Sequence, residues 1–131
     1  MLNPDVRRVL DGTSLGHLAT VLPDGSPHTT PVFVGTHGDQ LIFFTGPRSR
    51  KARNLRRDPR VALSAMDPKN WVTHVSIVGH VAEWIPDTDL TDIDRISTHY
   101  DGEAYGVRNR PRITARVDID RWHGWGRFKQ R

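Results

Sequence analysis

Between Leu15 and Thr45 three strand-like runs follow one another with only turn residues between them, and a chain that contains them is committed to an antiparallel sheet. Leu15 to Leu22 is the first run, Pro23-Asp24-Gly25-Ser26 supplies the turn, and Thr29 to Thr36 returns with β-branched and aromatic residues. His37-Gly38-Asp39 turns again into Gln40 to Thr45. Further on, Val61, Leu63 and Ala65 alternate with Ala62 and Ser64, Trp71 to Ile85 reads as a long strand or, given Gly79 in its interior, a strand with a bulge, and Ile113 to Ile119 alternates cleanly. Strands joined by short turns predict a mainly β protein with short helices, a six-stranded antiparallel barrel whose closure removes exposed edges.

Two helices frame these strands. Asn3-Pro4 opens one that turns Val6, Val9 and Leu10 to one side and ends at Gly12. Leu90, Ile93, Ile96 and Tyr100 recur at helical spacing with Asp87, Asp89 and Asp92 toward the start, which predicts an amphipathic helix laid over the sheet. Asp101 to Arg112 is glycine- and charge-rich and reads as an exposed loop, and the last strand leads into Trp122-His123-Gly124-Trp125-Gly126, where the Gly124-Trp125-Gly126 frame reads as a flexible tail.

Charge is concentrated in one place. Phe44 to Arg60 holds six arginines and one lysine against one aspartate, a local +6 that leaves −2 for the rest of a chain totalling +4. Gly46-Pro47 ends the apolar run Leu41 to Phe44, Ser49 is a good N-cap, Ala52 and Leu55 point inward, and Pro59 stops the helix. Arg50 and Lys51 then fall in the first helical turn, where the macrodipole disfavours cations. A bound anion resolves the conflict, because free N–H groups, dipole and cations converge on a phosphate. The alternative from this window alone is a solvated surface helix.

A chain of 131 residues predicts one domain, residues 1–131, and the absence of cysteine excludes disulfides, zinc-thiolate sites and cysteine catalysis. No apolar run approaches a membrane span and the first residues lack a signal-like apolar core, so a cytoplasmic protein without membrane partners is expected. The pI near 10.1 permits nucleic-acid binding, yet no helix-turn-helix, zinc-finger or RNP pattern accompanies the basic helix, and none is expected to bind. Seven histidines show no H-x-H or H-E-x-x-H spacing, which predicts no metal site. His17, His28 and His37 read as solvated, whereas His74 and His80 share a strand face with Ser76 and Val78. Gly-x-Ser-x-Gly is missing, so nucleophilic catalysis has no support.

Leu18-Ala19-Thr20 before Asp24-Gly25-Ser26-Pro27, then Pro31-Val32-Phe33, Phe44-Thr45, Ser49-Arg50-Lys51-Ala52 and Asn54 to Val61 together resemble the flavin-binding split-barrel family. That family includes pyridoxamine 5′-phosphate oxidase and the reductases that use the deazaflavin F420. The resemblance implies a homodimeric split barrel with the cofactor in a groove between subunits. It places the cofactor phosphate on Ser49, Arg50 and Lys51 under Phe44 and Thr45, and the ring along Thr30, Pro31, Val32 and Phe33. His74 stands where the oxidases carry a cofactor-contacting glutamine, and Trp125 or Trp71 would act across the interface. Arg121-Trp122-His123 only partly matches the oxidase substrate motif, while Ala52 to Arg60 and the His123 to Gly126 ending look like the F420 branch. Arg48, Arg53, Arg56 and Arg57 add charge suited to the acidic tail of F420.

The implied activity is an F420H2-dependent reduction of a small unsaturated or electron-poor acceptor, with the proton from solvent or from His74. The alternatives are an FMN-binding oxidase or flavin reductase, and a cofactor-binding module without turnover.

Overall fold

A computed structural model describes residues 2–12, 15–87, 90, 93–97, 106 and 111–126. In chain order these form α1 (Pro4–Asp11), β1 (Leu15–Val21), β2 (Pro27–His37), β3 (Gln40–Thr45), α2 (Arg50–Arg57), β4 (Arg60–Asp67), β5 (Asn70–Pro86) and β6 (Ile113–Gly124), with residues 93–97 also helical. The six strands close into an antiparallel barrel in the order β1-β2-β3-β6-β5-β4, the last pairing back to the first.

Alternation explains where the core lies. Leu18, Val34, Phe43, Leu63, Ile77 and Val117 point into the barrel and are almost fully buried, and α1 adds Val6 and Leu10 to the same cluster. Asn3 caps α1 by accepting the N–H groups of Asp5 and Val6. The unbroken apolar run of β3 has a physical reason. Leu41 and Phe43 face the barrel interior, whereas Ile42 and Phe44 face outward into a second cluster with Leu90, Ile93 and Ile96. The helix read from residues 90 to 100 does cover the sheet here; Tyr100, Asp89 and Asp92 lie outside the described residues. Gly35 makes the fit possible, because a Cβ there would stand 3.1 Å from Ile96 Cγ1.

In the long β5–β6 pair one feature follows the sequence reading and one differs from it. The register shifts between Val78 and Gly79, where the two backbones come so close that a Cβ on Gly79 would lie 2.3 Å from the Asp118 carbonyl oxygen. The strand β6, however, runs past Ile119 through Trp122 to Gly124, so Gly124 ends a strand and does not open a flexible tail. Ladder pairing of Val75 with Gly124 and of Ser76 with His123 overrides the glycine signal. The Trp125 N–H then donates to the His74 carbonyl at 3.0 Å, and Gly126, at φ 64°, packs directly on Thr73.

Candidate functional site

The site begins where β3 ends. Thr45 Oγ1 donates to Ser49 Oγ at 2.8 Å, and the same Ser49 oxygen accepts the Ala52 N–H at 3.1 Å, so one hydroxyl ties the strand end to the start of α2. The first turn of α2 carries no acid, and Arg56 and Arg57 occupy the last turn, where the dipole favours cations. Asn54, fully buried, anchors α2 on the barrel by donating to Thr20 Oγ1 at 3.0 Å.

A groove of about 720 Å³ opens at this turn. Pro31, Val32 and Phe33 of β2 line it together with Phe44 and Thr45, and the Gly46 to Ser49 turn and Lys51 supply the polar end. The rings of Phe33 and Phe44 stack with centroids 5.7 Å apart, giving the groove a flat apolar wall. Pro111 and Arg112 complete the lining. Arg112 is carried there because its carbonyl accepts the N–H of Asp87, whose carboxylate in turn caps the helical segment through the Ile93 N–H at 2.9 Å.

Lys51 is the electrostatic centre of this groove. It is half-buried, its ammonium has no acceptor among the described residues, and burial alone pushes its pKa below the ordinary lysine value. The single acid of the basic stretch cannot answer it. Asp58 is held by Arg60, with an Nη2–Oδ2 distance of 2.7 Å, and that hydrogen bond lowers its pKa to about 2. A groove with an ammonium that no described residue answers, a helix start and a flat aromatic wall has room and charge for an anionic group attached to a planar ring.

The remaining sequence candidates occupy different places. Thr30 stands half-buried beside the groove wall, and Arg50 is exposed and does not line the groove. Arg56 braces the Gly46 to Ser49 turn instead: Nη1 donates to the Pro47 carbonyl at 2.7 Å while the guanidinium lies 5.6 Å above the Trp84 ring. Arg57 donates to the Val21 carbonyl and to Asn54 Oδ1. His74 lines a separate cavity of about 340 Å³ with His17, Ser64, Met66, Trp71 and Ser76, and the Trp125 ring lies 6.3 Å from His123.

One of the other histidine readings changes. His28 is only half-exposed, and its Nδ1 is buried with no hydrogen-bond partner among the described residues. His17 lies mid-strand and helps line the His74 cavity. His80, on the same outward face of β5 as His74, sits against Asp120 at 3.1 Å and Asp118 at 3.6 Å; the hydrogen bond to Asp120 comes first in raising its pKa. Sequence reasoning missed Pro111 and Arg112 as groove residues, because they close a charge-rich stretch of sequence with no local signal. Among the described residues no group of three or more His, Asp or Glu is arranged to hold a metal ion, and no helix is long and apolar enough to cross a membrane.

The family profile described as pyridoxamine 5′-phosphate oxidase matches residues 2–126. A pyridoxine/pyridoxamine 5′-phosphate oxidase of Erythrobacter litoralis is 31% identical over 107 residues, which are 80% of this chain and 50% of that protein. The chain thus spans about half the length of that curated relative. Among solved structures, an F420 reductase superposes with a TM-score of 0.82 at 27% identity, covering 92% of this chain and 98% of the other. A conserved hypothetical protein of Mycobacterium tuberculosis gives a TM-score of 0.74 at 27% identity over 95% and 84% of the two chains.

Proposed function

We propose that this chain, which belongs to the pyridoxamine 5′-phosphate oxidase family, is an F420H2-dependent oxidoreductase that reduces a small unsaturated or electron-poor organic acceptor. The observation that carries the reading is the half-buried Lys51 without a counter-charge among the described residues, set at the start of α2 beside the Phe33–Phe44 wall. The residues fit a phosphorylated planar cofactor. Lys51, Ser49 and the N–H groups at the start of α2 would hold the phosphate, and Pro31 to Phe33 would lie along the ring. Exposed Arg48, Arg50 and Arg53 offer further positive charge to an acidic tail, for which a single FMN phosphate has no use. Bound reduced F420 supplies the hydride; the protein binds, orients and excludes water.

Similarity to an F420 reductase supports the deazaflavin. A second reading, FMN as cofactor of an oxidase or flavin reductase, draws on the curated relative's name. A module that binds the cofactor without turnover is the third. Titration separates them. Colourless purified protein that quenches F420 fluorescence and then oxidises F420H2 with a member of an acceptor panel supports the proposal. Yellow protein that keeps flavin through dialysis supports FMN, and tight F420 binding without turnover across the panel supports the module.

We also propose that the working unit is a homodimer. Met66, Trp71, Val72 and Trp125 are large apolar residues left exposed, Trp71 by 70%, and a second copy would cover them. Sedimentation at micromolar concentration tests this, and a monomer there would refute it.

A further inference from the structure

We propose that Arg56 is a positioning residue for the anion in the groove: held flat on Trp84, it fixes the Pro47–Arg48 peptide so that the Arg48 N–H faces the groove as a backbone donor. This inference rests on the cofactor reading above and adds to it the side chain that aims one of the donors.

The turn supplies the geometry. The Ser49 N–H donates to the Gly46 carbonyl at 3.1 Å, which closes a four-residue turn with Pro47 and Arg48 at its centre. A type II turn needs a positive φ at its third residue, and among the described residues Leu90 is the one non-glycine with positive φ, so this turn is type I. No described peptide is cis, and in the trans Pro47–Arg48 unit the carbonyl and the N–H point in opposite directions. Arg56 Nη1 donates to that carbonyl at 2.7 Å. Neither Arg56 nor Trp84 lines the groove, whereas Gly46, Pro47, Arg48 and Ser49 all do. The carbonyl is thus drawn back toward the last turn of α2, and the N–H of the same peptide turns to the groove side, where no described residue accepts it.

Arg56 can hold this peptide because it is itself held. Its guanidinium lies 5.6 Å above the Trp84 ring, and the indole is fixed in turn by an edge-on contact, 6.3 Å between centroids, with Phe43, a fully buried ring of the barrel core. A planar cation stacked on a ring presents its N–H edge in one plane, which a rotating ammonium does not. Electrostatics agree with the geometry. A carbonyl oxygen facing a phosphate repels it, whereas one bound to a guanidinium on the far side of the turn does not. Thr45 Oγ1 and Ser49 Oγ tie the other flank of the turn at 2.8 Å. Both flanks are therefore fixed before a ligand arrives, which lowers the ordering cost of binding.

Experiments on the full chain separate positioning from direct contact. In ¹⁵N–¹H spectra inorganic phosphate should shift the Arg48 amide of the wild type. Arg56→Met should remove most of that shift while its urea melt stays near wild type, because the side chain is exposed. F420 affinity should fall about two- to tenfold in the same variant, as for one ordinary hydrogen bond. That loss should be equal for F420 stripped of its acidic tail and should persist in about 0.5 M salt. Arg56→Lys, which keeps the charge without the flat fork, should recover only part of the affinity. Adding Trp84→Leu to Arg56→Met should cost no further affinity, since the two act as one unit.

A wild-type Arg48 response in Arg56→Met overturns the proposal. An Arg48 amide silent to phosphate in a chain that binds F420 overturns it too and leaves the cofactor reading standing. A loss that disappears with the tail or in salt makes Arg56 a direct tail contact, and full recovery in Arg56→Lys reduces its role to charge; either result refutes positioning. Additive losses in the double variant remove Trp84 from the device. A chain that binds no F420 yet shows the Arg48 response, lost in Arg56→Met, overturns the cofactor reading and upholds Arg56 as the residue that aims the donor.

Discussion

Replacing Lys51 by methionine should make the empty protein more stable and the loaded one weaker. Burial lowers the Lys51 pKa, so the folded chain holds that proton less tightly than the unfolded chain does. Stability therefore rises with pH between the folded value and the unfolded 10.5, and at neutral pH the charge is a cost. Solvent still screens the exposed part of the side chain, so relief of that cost amounts to about 0–1 kcal/mol. Binding runs the other way. A hydrogen bond to a charged group is worth about 1.5–3 kcal/mol, which converts to a loss of about 10- to 150-fold in affinity for the phosphorylated cofactor. Arg50 supplies the control, because it is exposed and off the groove. Arg50→Met should cost about 1 kcal/mol or less, about fivefold, and the difference should vanish in 0.5 M salt while that of Lys51→Met persists. Thermal melts of the empty chain and fluorescence titrations with F420 measure both arms. Equal losses in the two variants, or a lower melting temperature for empty Lys51→Met, would mean that Lys51 is a structural residue and the anion lies elsewhere.

Three further variants probe the scaffold. Gly79→Ala drives a Cβ to 2.3 Å from the Asp118 carbonyl at the β5–β6 register shift, and the cost should be about 1–3 kcal/mol in a urea melt. Asn54→Ala leaves buried Thr20 without its donor and should cost about 1–3 kcal/mol; because Asn54 also anchors α2, cofactor affinity should fall with it. His80 has a raised pKa through Asp120 and then Asp118, so its contribution is fully present below the unfolded value near 6.5 and disappears as pH rises through the folded value. The melting-temperature gap between wild type and His80→Gln should accordingly be open at pH 5.5 and close by pH 9. A gap that is constant across this range would assign His80 a packing role instead.

The strands were legible because their faces alternate against one buried side. The run Leu41 to Phe44 had the length of a strand and the composition of a core element, and its two buried faces follow from a partner 50 residues away that the spacing of Leu90, Ile93 and Ile96 announced. The tail was misread because Gly124 and Gly126 signal flexibility locally, while the pairing of β6 with β5 is decided by residues far off in sequence. The same limit applies to the site. Ser49 as a cap and Lys51 beside it could be read from neighbours, but which of Arg50 and Lys51 faces the groove depends on how α2 docks through Asn54 on Thr20. Arg112 reaches the groove only through the Asp87 backbone contact, which no local pattern encodes. His74 and His80 share a face, yet their surroundings diverge because β6 places Asp118 and Asp120 beside one and β4 places Met66 opposite the other.

The strand order carries a consequence for how the molecule comes into being. β3 is flanked by β2, three residues upstream of it, and by β6, which begins at Ile113. During synthesis, therefore, β3 leaves the ribosome with one neighbour and waits for most of the chain before it meets the other. Until then residues 40–45, the most apolar stretch of all, are half-paired, and the ring locks only when the last strand arrives.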